Sequence, residues 1–307
     1  MASSFAKKHV IAISDFTKDD LLHLLDKATE LKERQQPHLL QGRILGSCFF
    51  EPSTRTRLSF EAAMHRLGGS VIGFSNVEDT SVKKGESFHD TMKIVSRLAD
   101  VIVLRHPLEG APQLAADAIE IPVINAGDGA NEHPTQAFLD LFTIRECQGT
   151  LDHLHIAMVG DLKYGRTAHS LAHGLIPFQS RLYFISHPSL EMPKSICDKL
   201  REKGVKFSFH SSLEEIIHKL DIVYMTRTQG ERLCHCLPSD LPKEPLILKP
   251  SHFCNVKNTL KILHPLPRTV EIDVAIDKTP YAHYFQQAEN GLYIRQALLG
   301  LVLGVLS

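Results

Sequence analysis

Apolar positions recur along this chain in two rhythms. Leu21, Leu24, Leu25, Ala28 and Leu31 follow one another at helical spacing behind Thr17 and Asp20, a pair spaced as a reciprocal cap, and so predict an amphipathic opening helix. Beyond it, short apolar runs alternate with helical stretches: Ile44 to Phe50, Val101 to Leu104, Val123 to Ala126, Ile156 to Val159, Leu182 to Ile185, Ile222 to Met225 and Ile262 to Leu263. Short buried strands separated by helices are the pattern of an α/β architecture with parallel sheets. No repeat at a fixed short period and no low-complexity tract interrupts it.

The length of 307 residues fits one or two domains, and two are expected. Cys147-Gln-Gly-Thr150 interrupts the helix that starts near Pro134, which puts a boundary near Gly149. The expected division is 1–148 for a first domain and 149–284 for a second, with a terminal helix over about 285–307 packing back. The longest apolar run, Ala297 to Leu306, is about half the ~20 residues a membrane helix needs, so it is expected to pack in a core and no membrane association is expected.

Charge and cysteine content narrow the function classes. Thirty-four Lys and Arg balance 35 Asp and Glu, for a formal charge of −1, so no global basic field argues for nucleic acid and any anion site must be built locally. Six scattered cysteines and a beginning without an apolar leader core point to a reducing, cytoplasmic setting.

Ligands of open parallel sheets bind beyond the carboxyl ends of the strands. Glu51-Pro-Ser-Thr-Arg-Thr-Arg57 follows the first run there and leads into a helix stopped by Gly68-Gly69, with Ser53 in the N-cap position. Hydroxyls at Ser53, Thr54 and Thr56, the Arg55 fork and the unpaired N–H groups of a helix start together make a phosphate cradle, although an ordinary capped helix with a solvated Arg has the same string. The Gly-x-x-x-x-Gly-Lys-Ser/Thr run of a nucleotide-binding loop is absent. Four further strands are followed by the same kind of polar group, in Arg105-His-Pro, Asn125 to Gln136, Gly160 to Arg166, and Thr226-Arg227-Thr-Gln229. Gly160-Asp-Leu-Lys-Tyr-Gly165 lacks the full glycine spacing of a dinucleotide site. His264-Pro-Leu-Pro-Arg268 follows the last run, where two prolines fix the backbone and leave carbonyls as acceptors for an amide or amine.

Phe50-Glu-Pro-Ser-Thr-Arg-Thr-Arg57, His133-Pro-Thr-Gln136 and His264-Pro-Leu-Pro-Arg268, in this order, resemble the aspartate and ornithine carbamoyltransferases over nearly the whole chain. The resemblance implies a carbamoyl-phosphate domain followed by an amino-acid domain, each with a mostly parallel sheet flanked by helices and linked by two helices. It also implies a homotrimer with sites at subunit boundaries, and no cofactor and no metal. It assigns phosphate contacts to Ser53, Thr54, Arg55, Thr56 and Arg105, and the carbamoyl oxygen to Thr56, Arg105 and His133. Gln136 and the carbonyls of Leu266 and Pro267 would hold the carbamoyl nitrogen; Arg166, Arg227 and Gln229 would hold the acceptor's carboxylates. Ser81 and Lys84 would reach in from a neighbouring subunit, with Lys83 as the alternative to Lys84. His133 is read as a polarising hydrogen-bond donor in preference to a general base, because the phosphate can itself take the proton.

The expected acceptor is L-aspartate. His235-Cys-Leu-Pro238 spells a string typical of the ornithine enzymes, but it lies about thirty residues before the His264 motif that fills the corresponding slot. The Ser-Met-Gly element for ornithine is replaced by Thr226-Arg-Thr-Gln-Gly-Glu-Arg232, and Arg227 suits a carboxylate and repels an ammonium. Cys234-His-Cys236, with His252 and Cys254 further on, falls short of a structural zinc set. A non-catalytic assembly subunit would lack site residues, and none is missing. Whether a regulatory chain or dihydroorotase binds the trimer is left open by the sequence.

Overall fold

The computed structural model describes residues 5–227 and 246–307. The chain divides into two compact units, one of residues up to 138 together with 289–307, the other of residues 139–288. This grouping passes within two helices, α5 (Pro134–Gln148) and α8 (Tyr284–Val302), each of which contributes to both units.

The first unit is built from α1 (Lys18–Glu33), β1 (Ile44–Phe49), α2 (Thr54–Arg66), β2 (Ser70–Phe74), α3 (Phe88–Leu98), β3 (Val101–His106), α4 (Ala111–Ala118) and β4 (Val123–Asp128). Its four strands are all parallel, in the order β2-β1-β3-β4. The second unit continues with β5 (His155–Val159), α6 (Arg166–Gly174), β6 (Arg181–Ile185), α7 (Lys194–Glu202), β7 (Phe207–His210), β8 (Ile222–Met225) and β9 (Lys261–Leu263). These five strands are also parallel, in the order β7-β6-β5-β8-β9. The two-sheet α/β reading therefore holds.

Each sheet reverses its winding once. The chain steps outward from β1 to β2 and returns to lay β3 on the other side of β1; it steps outward from β5 through β6 to β7 and returns to lay β8 beside β5. At such switch points the loops leaving adjacent strands diverge and open a crevice beyond the carboxyl edge.

Local chemistry sets the element ends. Thr17 caps α1, accepting from the Asp20 N–H at 3.2 Å while its own N–H donates to the Asp20 carboxylate at 3.0 Å, and Leu21, Leu24, Leu25, Ala28 and Leu31 are all buried. Ser53 has the extended conformation of an N-cap but makes no side-chain capping bond to α2, so the cap expected there is one of position alone. The α5 helix is buried around its whole circumference from Pro134 to Ile144, which accounts for its lack of an apolar stripe. Two strands carry no apolar run in the sequence, β2 and β7. Both lie at sheet edges with mostly exposed or half-buried side chains, so no run was needed to cover them.

Candidate active site

In the first unit, the polar groups converge on the β1/β3 switch point. β1 runs out at Phe49, and the Phe50 N–H donates to the Arg105 carbonyl at 2.9 Å, so the turn entering α2 lies against the end of β3. Thr56, in the first turn of α2, is buried, whereas Arg55 is exposed. This turn holds no acidic residue, so its unpaired N–H groups and the Arg55 charge act with the same sign on an anion. The Arg105 guanidinium lies 2.7 Å from the Glu51 carboxylate and donates to the Ala126 carbonyl at 3.3 Å.

The connection from β4 to α5 is pinned by one buried carboxylate. Asp128 accepts from the Gly110 N–H at 2.8 Å, from the side-chain amides of Asn125 and Asn131 at 2.9 and 3.0 Å, and from the Glu132 N–H at 3.2 Å. That network delivers His133 and Gln136, both buried, to the start of α5. The His133 Nδ1 accepts from the Gln136 N–H at 3.3 Å, which puts the ring proton of the neutral imidazole on Nε2. The neutral ring then carries its donor at Nε2 and spends its acceptor on the helix start.

The Ser81–Lys84 segment is a short 3₁₀ turn. Thr80 accepts from the Val82 N–H at 3.3 Å at its start, and Gly85, at φ 93°, ends it in a conformation that glycine adopts without strain. Lys83 is paired with Glu78 at 3.1 Å, and Ser81 and Lys84 are exposed. Among the described residues Lys84 has no ion pair.

In the second unit, the groups converge on the β5/β8 switch point. Arg166 opens α6 and is buried. The Asp161 carboxylate accepts from the Lys163 and Tyr164 N–H groups at 3.2 and 3.0 Å and shapes the loop before it. Gly160 crosses beneath Thr226 so closely that an added Cβ would stand 2.2 Å from the Thr226 carbonyl oxygen, which ties the β5 exit to the β8 exit. Thr226 also donates to the Val159 carbonyl at 3.0 Å. Arg227 follows directly and is half-buried. Gln229 lies outside the described residues. Leu266 and Pro267 follow β9, the strand next to β8, with a cis peptide between them.

Sequence reasoning missed the residues that hold these groups in place. Glu51 and Asp128 lie inside segments that were singled out, but their bonds to Arg105 and Gly110 reach across the fold, as do those of Asp140 to Tyr224 and Gln287, and no local spacing marks them. Of the zinc reading, Cys234, His235 and Cys236 lie outside the described residues, while His252 pairs with Glu214 at 2.8 Å. Among the described residues no group of three or more His, Cys, Asp or Glu side chains gathers as a metal site, and no helix is long and apolar enough to cross a membrane.

Residues 8–146 match the family model described as aspartate/ornithine carbamoyltransferase, carbamoyl-P binding domain, and residues 152–302 match its Asp/Orn binding domain. The chain belongs to the aspartate/ornithine carbamoyltransferase family. Within that family it is similar to the aspartate transcarbamoylase of Trypanosoma cruzi in complex with carbamoyl phosphate and aspartate, at 37% identity and a TM-score of 0.93, covering 98% of each chain. The T. cruzi enzyme in complex with N-(phosphonacetyl)-L-aspartic acid is likewise 37% identical, with a TM-score of 0.91 over 98% of this chain and 97% of that one. The catalytic subunit of the M. jannaschii aspartate transcarbamoylase is 44% identical, with a TM-score of 0.88 over 95% of this chain and 97% of that one.

Proposed function

We propose that this chain transfers the carbamoyl group of carbamoyl phosphate to the amine of L-aspartate, giving N-carbamoyl-L-aspartate and phosphate. One observation carries the reading: an arginine lies at or beyond the carboxyl end of each strand that flanks a switch point, Arg55 and Arg105 in one sheet and Arg166 and Arg227 in the other. The first pair, with the hydroxyls of Ser53, Thr54 and Thr56 and the α2 N-terminus, suits a phosphoryl dianion. The second suits an acceptor with two carboxylates, and the relatives described as aspartate transcarbamoylases favour the same acceptor. Ornithine, with one carboxylate and a side-chain ammonium, would set a cation against Arg227.

The roles follow from the chemistry. A neutral amine attacks the carbonyl carbon, negative charge grows on the carbonyl oxygen, and the C–O bond to phosphate breaks. Thr56, Arg105 and the His133 Nε2–H would supply donors to that oxygen, and Arg55 with Arg105 would stabilise the departing phosphate, which can itself take the amine's proton. Gln136 and the carbonyls of Leu266 and Pro267 would fix the carbamoyl nitrogen. Gln229 joins Arg166 and Arg227 on the acceptor in this scheme.

The scheme includes a homotrimer in which Ser81 and Lys84 of one subunit complete a neighbour's site. The Lys83–Glu78 pair favours Lys84 over Lys83 for that reach. A cytoplasmic setting in pyrimidine synthesis accords with the reduced state of Cys48, Cys147, Cys197 and Cys254. The test is a ureido-colour assay of the purified chain with carbamoyl phosphate and either L-aspartate or L-ornithine. Product with aspartate alone is expected; product with ornithine alone, or with neither, refutes the proposal.

A further inference from the structure

The segment from His264 to Arg268 is held at both ends by polar groups, and those at its start are buried. At its start, the His264 backbone N–H donates to the Gln287 side-chain carbonyl at 2.7 Å; the Gln287 amide donates to Asp140 at 2.7 Å, and Asp140 accepts from the Tyr224 hydroxyl at 2.8 Å. At its end, the Arg268 guanidinium is bound to the Asp277 carboxylate, donates to the Tyr284 hydroxyl at 2.9 Å and stacks 5.0 Å from the Tyr284 ring centre. Between them, Leu266 takes φ 55°, a left-handed conformation that a residue with a branched side chain holds only when its surroundings fix it.

The His264 ring supplies that fixation. Its Nδ1 accepts from the Leu266 N–H at 2.8 Å, so the neutral ring carries its proton on Nε2, which donates to Glu271 at 2.8 Å. Glu271 is buried and acceptor-only; it also receives the Thr269 N–H at 3.1 Å and the Thr269 hydroxyl at 2.7 Å. A carboxylate, an imidazole and a peptide N–H thus stand in series, the same arrangement by which a carboxylate orients a histidine in metal sites. Its terminus here is a backbone peptide. Among the described residues, neither the Leu266 nor the Pro267 carbonyl receives a hydrogen bond, so both acceptors are available to a ligand.

We propose that His264, oriented by Glu271, is a positioning residue that sets the Leu266 peptide so that the Leu266 and Pro267 carbonyls meet the two N–H groups of a carbamoyl nitrogen. This rests on the functional reading above and adds to it the device that aims the carbonyls. A ring that only filled space would serve as well with its nitrogens unused. The hydrogen-bond series instead makes the Nδ1 lone pair the decisive feature.

The two amide residues separate these cases, because the Asn side chain reaches about as far as Nδ1 and the Gln side chain about as far as Nε2. In His264→Gln the Leu266 N–H loses its acceptor, and KM for carbamoyl phosphate is expected to rise about tenfold to a hundredfold, the scale of an ångström-level misplacement. Binding of inorganic phosphate, which needs only the first unit's cradle, should match the parent by calorimetry. His264→Asn, which keeps an acceptor near Nδ1, should recover most of the loss. A parent-like KM in His264→Gln, equal loss of phosphate and carbamoyl phosphate binding, or a His264→Asn as impaired as His264→Gln would each overturn the inference. A parent chain that makes no carbamoyl-aspartate defeats the functional reading instead, before any variant is compared.

Discussion

The Glu51 carboxylate lies 2.7 Å from the Arg105 guanidinium, and both side chains are largely withdrawn from solvent. A carboxylate this close cancels part of the positive potential that a phosphate would meet at the end of β3. Glu51→Gln is therefore expected to tighten inorganic phosphate binding about threefold to tenfold, most clearly at low ionic strength. Isothermal calorimetry measures this directly. Weaker binding would mean that Glu51 matters more for orienting Arg105 than for neutralising it.

Arg227→Ala should separate the two substrates. Losing a bidentate contact from a water-poor site costs about 2–5 kcal/mol, so KM for aspartate should rise about thirtyfold or more. The melting shift produced by carbamoyl phosphate should stay at its parental size, because that ligand is assigned to the other switch point. Parental aspartate kinetics would remove Arg227 from the site.

Tyr224 and Asp140 form a buried pair in which the phenol donates across 2.8 Å, and burial holds the Tyr224 hydroxyl well above its ordinary range, so the donor persists at every neutral pH. Tyr224→Phe keeps the ring and deletes a donor to a buried carboxylate, an effect of about 1.5–3 kcal/mol. A lower urea midpoint with an unchanged slope is the expected signature. A parental midpoint would mean that the bond contributes nothing net.

Glu271 gives the fold an acid-side signature. Burial alone would raise its carboxyl pKa, but bonds from His264, from its own backbone and from Thr269 outweigh that and hold it at about 2, against an ordinary 4.5. The folded value lies below the unfolded one, so the contribution is complete above the unfolded value and lost as pH falls through the folded one. It is on the order of 3 kcal/mol. Urea titrations of the parent and of Glu271→Gln should differ by a constant amount above about pH 5, with the gap narrowing below that and closing only as pH falls through about 2. A gap independent of pH would contradict this account.

Subunit sharing is tested by complementation. Lys84→Ala and Arg55→Ala should each be inactive alone, yet a mixed trimer brings an intact Lys84 turn against a neighbour's intact Arg55 and should recover carbamoyl-aspartate formation. The variants are dissociated, mixed and reassembled, with exchange verified by a mass tag. Confirmed hybrids that stay inactive would show that each site is made from one chain.

The elements that were legible in the sequence are those whose burial leaves a mark on it. α1 announced itself by five core positions and a reciprocal cap, and β1, β3, β4, β5, β6, β8 and β9 by apolar runs. β2 and β7 were not, because their side chains are mostly exposed or half-buried, whereas the other two edge strands, β4 and β9, are largely buried and keep their runs. Position after a strand was enough to nominate Arg105, Arg166 and Arg227, since polar residues in that slot are readable without coordinates. The buried groups that hold the His264 segment were not readable: Asp140 stands 84 residues from Tyr224 and 147 from Gln287, distances over which no spacing rule operates.

The discontinuous first unit carries a consequence for how the molecule is made. Residues 139–288 form one uninterrupted stretch, whereas the first unit draws on segments to either side of it. During translation the second unit can therefore close while the first still lacks the end of α8, whose Ile294, Ala297, Leu298 and Leu301 belong to its interior. Until those residues are free of the ribosome the nascent first unit has a missing wall, so its closure waits on a segment made after the whole of the second unit.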